Sequence, residues 1–188
     1  MDSLPQRLGK FLYDMVPVTV GILLALFINN WNETRKDQAF LDRVLASIEQ
    51  ELTDNAEDLE DMVFRHQRLI DTTRHYLEND TVSVFDVFAY TSGFQIPSVK
   101  LTSWQALKSS RVELVDYELI SSMTDLEEIK INLNLKIEKL MDFAYAHLRY
   151  KDEDSKERLL IHFLDLLDTE EDLLERNKKL LEYFAAQE

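Results

Sequence analysis

The chain predicts an all-α protein, an N-terminal transmembrane helix continuing into a long-helix antiparallel bundle or coiled coil. Three observations carry this expectation. Only three glycines and three prolines occur in 188 residues, and none falls between residues 22 and 92, too few turn formers for a sandwich or barrel. Apolar side chains recur at steps of three and four over long stretches, the period of one helix face. One stretch, MVPVTVGILLALFI from Met15 to Ile28, has no charged side chain. Composition narrows the class further. Hydrophobic residues make up 45% of the chain, which argues against disorder. Asp and Glu number 36 against 21 Lys and Arg, and a formal net charge of −15 lacks the basic footprint that nucleic acid requires. The absence of cysteine removes disulfide scaffolds, thiol nucleophiles and cysteine metal sites.

The first element, residues 1–33, is expected to be a membrane anchor. Phe11 through Trp31 is a run of 21 residues with one charge, Asp14. At about 1.5 Å per residue it spans roughly 30 Å, the thickness of a bilayer's hydrocarbon core. Tyr13 and Trp31 lie at its two ends, and Arg35 and Lys36 follow, so these four are the expected membrane-interface residues. The soluble alternative is a buried core helix. A cleaved signal peptide fits less well, because Asn29-Asn30-Trp31-Asn32 follows the apolar run where a cleavage site would need small residues. Gly21, Ala25 and Asn29 share one face. Small residues there let two helix backbones approach, and an amide can bond across, so this face is the candidate for self-association. Pro17 is placed in the first turns, where a missing N–H costs least. Residues 1–36 net +1, leaving −16 for the rest. A short N-terminal segment before a long acidic domain fits a signal anchor with the C-terminal domain on the periplasmic side.

The residues Gly21-Ile22-Leu23-Leu24-Ala25-Leu26-Phe27-Ile28-Asn29-Asn30-Trp31-Asn32-Glu33, then Arg35-Lys36, resemble the G-I-L-x-A-L-x-[IV]-N-N-W-N-E signature of a bacterial family of single-span membrane proteins, a domain of unknown function. A second stretch, Thr102-Ser103-Trp104-Gln105-Ala106-Leu107-Lys108-Ser109-Ser110, is similar to that family's aromatic-x-x-Leu-Lys-Ser-Ser block. Arg111 stands where members often carry Gly. The resemblance implies an anchor in the bacterial inner membrane plus a helical domain, and it implies no activity.

Residues 34–188 read as an acidic helical bundle domain. Leu41, Leu45, Ile48, Leu52, Asn55, Leu59, Met62, His66, Leu69, Thr73 and Tyr76 form a seam of about five heptads on one long helix running out of the span, continuous with it or broken only near Asn29–Asn32. The seam must bury against the chain's own later helices or against another copy. Asn55, His66 and Thr73 read as edge positions of a rotating stripe, with buried, register-setting polar groups as the alternative. Asn79-Asp80-Thr81 is a stop. Ser83 with Asp86 three residues on caps a short helix, Val84–Tyr90. Phe85, Phe88 and Phe94 are read as pinning the loop around them to the bundle. Thr102 or Ser103 is expected to cap a helix over Trp104–Ser109, and Asp116 a long one over Tyr117–Arg149. Ser155 is expected to cap Lys156–Leu167, with a break at Asp168-Thr169 before a last helix, Glu170–Ala186.

No chemistry-bearing constellation stands out. His66, His75, His147 and His162 lack Glu-x-x-His spacing and the H-E-x-x-H pattern, so no metal or cofactor is expected. Lys108-Ser109-Ser110 reads as a helix end and turn, and Asp71 with His75 as a surface pair. Trp104, with Leu107 beside it, is a packing or interaction anchor. The expected function is a non-catalytic, single-pass, membrane-anchored interaction or scaffold protein. Its expected partners are the lipid bilayer and a second copy or another membrane protein. The alternatives are an oligomer whose spans line a pore, with Asn29 and Asn30 facing the lumen, or a ligand-binding sensor with a pocket around Trp104, Phe94 and Tyr117.

Overall fold

Long uninterrupted helical periodicity translates into long helices. A computed structural model of the chain describes residues 4–186, with side chains from Met15 onward. Among the described residues there are five α-helices and no strand: α1 (Leu4–His75), α2 (Val84–Tyr90), α3 (Thr102–Ser110), α4 (Tyr117–His147) and α5 (Glu153–Ala185), with one 3₁₀ turn at Val112–Leu114. The protein is therefore all-α. It divides into two units, residues 1–43 and residues 44–188, and α1 contributes to both.

In the first unit α1 is helical from Leu4, so Pro17 is an interior residue and not a first-turn one. Its ring removes a backbone donor within the helix. The hydroxyl of Thr19 donates to the carbonyl of Met15 at 3.0 Å, adding a local bond beside the missing one.

The second unit is a three-helix bundle of α4, α5 and the part of α1 from residue 44 onward. The pairings fix the directions. Glu60 meets Lys178, His66 meets Glu170, and the Tyr76 carbonyl meets Lys156, so α1 and α5 run antiparallel. Asp125 meets Arg176 and Lys136 meets Asp165, so α4 and α5 are antiparallel too. It follows that α1 and α4 are parallel. Parallel neighbours cannot be joined by a tight turn, and the crossover between them carries α2 and α3.

The predicted seam is buried from Ile48 through Thr73 at every position, including Asn55, His66 and Thr73. It packs against the chain's own helices, which supply Leu119, Leu126, Leu140, Leu159, Phe163 and Leu166 to the same core. The alternating run from Ile129 to Ile137 is helical, with Leu133 and Ile137 buried and Ile131 and Leu135 exposed.

Local caps decide most helix starts. Ser83 and Asp86 form a reciprocal capping box at α2, and Asp116 caps α4 by accepting from the Leu119 N–H at 2.8 Å. Two expectations fail. Neither Thr102 nor Ser103 caps α3, which begins at Thr102. The backbone N–H and hydroxyl of Ser103 instead donate to the Glu51 carboxylate of α1. α5 is one helix where two were expected. Asp152 caps it, with the Ser155 N–H and hydroxyl as donors, and the Thr169 hydroxyl donates to the Asp165 carbonyl within the helix. Asp168-Thr169 looked like a stop because both residues favour caps, but burial of Leu166, Leu167, Thr169 and Glu170 holds the backbone helical through them.

Candidate functional site

The residues singled out in the first unit lie along an exposed helix. Between Met15 and Trp31 every residue is exposed, and nine of them are Val, Ile, Leu or Phe, with Phe27 at 68%. Leaving nine such side chains in water rather than buried costs on the order of 15–25 kcal/mol. This helix is long and apolar enough to cross a membrane, and its apolar stretch is 0% buried. Gly21, Ala25 and Asn29 are all exposed at intervals of four, and no atom lies within 4 Å of where a Cβ on Gly21 would stand. Trp31 is exposed, and the Arg35 guanidinium sits over its ring at 5.3 Å. Lys36 is exposed. The side chain of Tyr13 lies outside the described residues.

In the second unit the polar residues of the seam are not at an edge. They are in the core, each with a partner. Asn55 accepts from the Lys100 N–H at 2.8 Å and donates to the Lys100 carbonyl at 2.7 Å, closing a two-bond clasp between α1 and the crossover. Thr73 donates to the Leu69 carbonyl. His66 is fully buried between α1, the crossover and α5. Its Nδ1 lies 2.8 Å from Oε2 of Glu170, also fully buried, and its Nε2 lies 2.9 Å from the Gln95 carbonyl. A carbonyl only accepts, so Nε2 carries a hydrogen and donates it. One proton then lies between Nδ1 and the Glu170 carboxylate, making the pair either an ion pair or two neutral groups. Phe94 stacks on the imidazole at 4.8 Å. Oε1 of Glu170 and Oδ1 of Asn177 are buried without a hydrogen-bond partner.

Lys156 is also fully buried. Its ammonium donates to the carbonyls of Tyr76, Leu77 and Asn79, just past the C-terminus of α1. A cation there also meets the negative end of the helix dipole. Burial pushes its pKa down, against the opposing pull of Asp152, Asp80 and Glu153.

Trp104 and Leu107 are both fully enclosed. The Trp104 indole N–H makes no hydrogen bond of ordinary geometry, but it faces Glu127. That carboxyl is held below its usual range by the Lys108 hydrogen bond first, with the indole contributing less. Lys108 is thus engaged with Glu127, and the Ser109 and Ser110 hydroxyls donate to the Ala106 carbonyl. Asp71 takes Gln67 and Arg74 rather than His75, which packs edge-on against Tyr76. Trp104, Phe94 and Tyr117 do not line one pocket: Trp104 is enclosed, Tyr117 is 81% exposed, and Phe94 lines a groove with Phe85 and Phe88.

Sequence reasoning passed over Glu170 and Lys156 because charged residues in acidic, amphipathic stretches look like solvated faces. The available signal was positional. Both fall on the apolar stripe of α5, at the spacing of Leu159, Phe163, Leu166, Leu173 and Asn177. Comparison with protein-family models, with curated proteins and with solved structures returns no match.

Proposed function

We propose that this is a non-catalytic, membrane-anchored interaction module, with one span in the bacterial inner membrane and an acidic helical bundle on its periplasmic side. The single observation that carries the reading is the uncovered apolar face of α1 from Met15 to Trp31, for which lipid is the natural cover. The exposed Gly21, Ala25 and Asn29 face supports self-association within the bilayer, where Asn29 bonds to its counterpart. The family that the Gly21–Lys36 motif resembles has the same arrangement of span and helical domain.

Alkaline carbonate extraction tests the anchor. The wild-type chain stays with the vesicles, and Leu24→Lys, at a cost of about 2.5–3.5 kcal/mol at the helix centre, lowers the inserted fraction. Release of intact wild-type chain overturns the reading. Crosslinking in membranes tests the interaction. A ladder that Gly21→Ile and Asn29→Leu weaken supports it, and strictly monomeric chain with no copurifying partner rejects it.

A further inference from the structure

A groove of about 280 Å³ opens between α2, the crossover and the last turns of α4. Ala144 forms its floor, Phe88, Phe94, Met141 and Leu148 its half-buried walls, and Phe85 and Tyr145, at 58% and 67% exposed, its rim. Phe88 and Phe94 pack on Phe163 and pin the segment as expected, whereas the Phe85 ring is exposed at the opening, its backbone N–H donating to the Leu148 carbonyl. At Phe85 and Leu148 the groove adjoins a second depression that adds Ser83, Arg149 and Lys151. Among the described residues neither Arg149 nor Lys151 forms a salt bridge. Asp86, whose charge Lys151 feels, accepts from the N–H and hydroxyl of Ser83. Asp152 is likewise occupied by Ser155.

We propose that this composite is a binding site for a medium-chain fatty carboxylate, its tail in the Phe85–Tyr145 groove and its head between Arg149 and Lys151. Charge and size favour this occupant. In a chain of net charge −15, two exposed cations without a salt bridge, set beside an apolar groove, favour an anion with a greasy body. The groove volume equals about nine water molecules, near the roughly 300 Å³ at which small-ligand sites begin, and suits a tail of about eight to ten carbons. It is small for a docked helix. The site lies wholly within residues 83–151, so it stands whether or not α1 spans a membrane.

The test uses the full chain in nanodiscs with decanoate carrying a photoreactive diazirine, crosslinks being mapped by mass spectrometry. Labelling is expected at Phe85, Met141 and Tyr145. The paired change Arg149→Gln with Lys151→Gln should raise the half-saturating concentration roughly tenfold, the worth of one charge-assisted contact. Phe85→Ser should weaken labelling as well. All three altered residues are exposed, and an unchanged circular dichroism melt shows that the fold survives. Four results overturn the proposal: labelling confined to residues 15–31, equal labelling by the uncharged decanol analogue, indifference to both variants, or groove labelling by a phospholipid probe in preference to decanoate. A benzophenone at Tyr145 that captures a second copy or another polypeptide rejects it too, by assigning the groove to a protein.

Discussion

His66 and Glu170 stand 104 positions apart and share one proton inside the core. Removing either partner strands the other without water. His66→Ala or Glu170→Ala should lower stability by about 3–5 kcal/mol, read as the shift of the urea midpoint by circular dichroism. Replacing both together, His66→Leu with Glu170→Met, should cost less than either single change, because no polar group is then left alone. Single changes costing under about 1 kcal/mol would contradict a buried, water-free pair. Trp104→Ala empties an enclosed site and should cost about 3–5 kcal/mol. Loss of a binding partner at unchanged melting temperature would instead make Trp104 an interface residue. The seam positions of Asn55, His66 and Thr73 were legible in the heptad count. Their burial was not, because a polar residue on an apolar stripe reads as an edge until its partner is known. The partners of Asn55 and His66, Lys100 and Glu170, lie on other elements, and no local pattern names them, whereas Thr73 bonds within α1 to the Leu69 carbonyl.

Among the elements, the helices with side-chain caps in their own sequence were read most closely. α2 and α4 begin where Ser83 and Asp116 place them. α3 misled because its first turn is satisfied by Glu51, about fifty residues upstream. α5 misled in the opposite sense, since two cap-forming residues lie inside a helix held by packing. This difference can be measured. Asp168 is exposed in the interior of α5, so Asp168→Pro removes an internal hydrogen bond and should cost about 3 kcal/mol or more in the same denaturation assay. Two helices joined at that point would accept the proline almost without loss. α1 joins both units in one helix, as the absence of Gly and Pro from residues 22–92 implies, and Pro17 is accommodated within it.

For the molecule as a whole, carboxylates set the behaviour in acid. Hydrogen bonds from Ser83, from Tyr183, from Lys108 and from the Ser155 backbone are the leading causes that hold Asp86, Asp116, Glu127 and Asp152 below their usual pKa values. A carboxyl with a depressed folded pKa stabilises fully above its unfolded value, near 4, and loses that contribution as pH falls through the folded value. Stability should therefore fall off below about pH 4, and Asp116→Asn should flatten the slope there. A thermal melt that is unchanged between pH 5 and pH 2.5 would contradict this. The all-helical class and the apolar helix were legible because each is written in local periodicity and composition. The crossover that makes α1 and α4 parallel was not, because it depends on which distant faces meet.

The long separation in sequence between α1 and its partner α5 has a consequence for how the chain is made. His66 leaves the ribosome long before Glu170, and Tyr76 before Lys156. At translation speeds of about 5–20 residues per second, α1 waits roughly 5–20 s for the helix that completes its core. During that interval the newborn stripe from Ile48 to Thr73 is open to any greasy surface nearby, and a nascent chain stalled before α5 should be a client of holding chaperones.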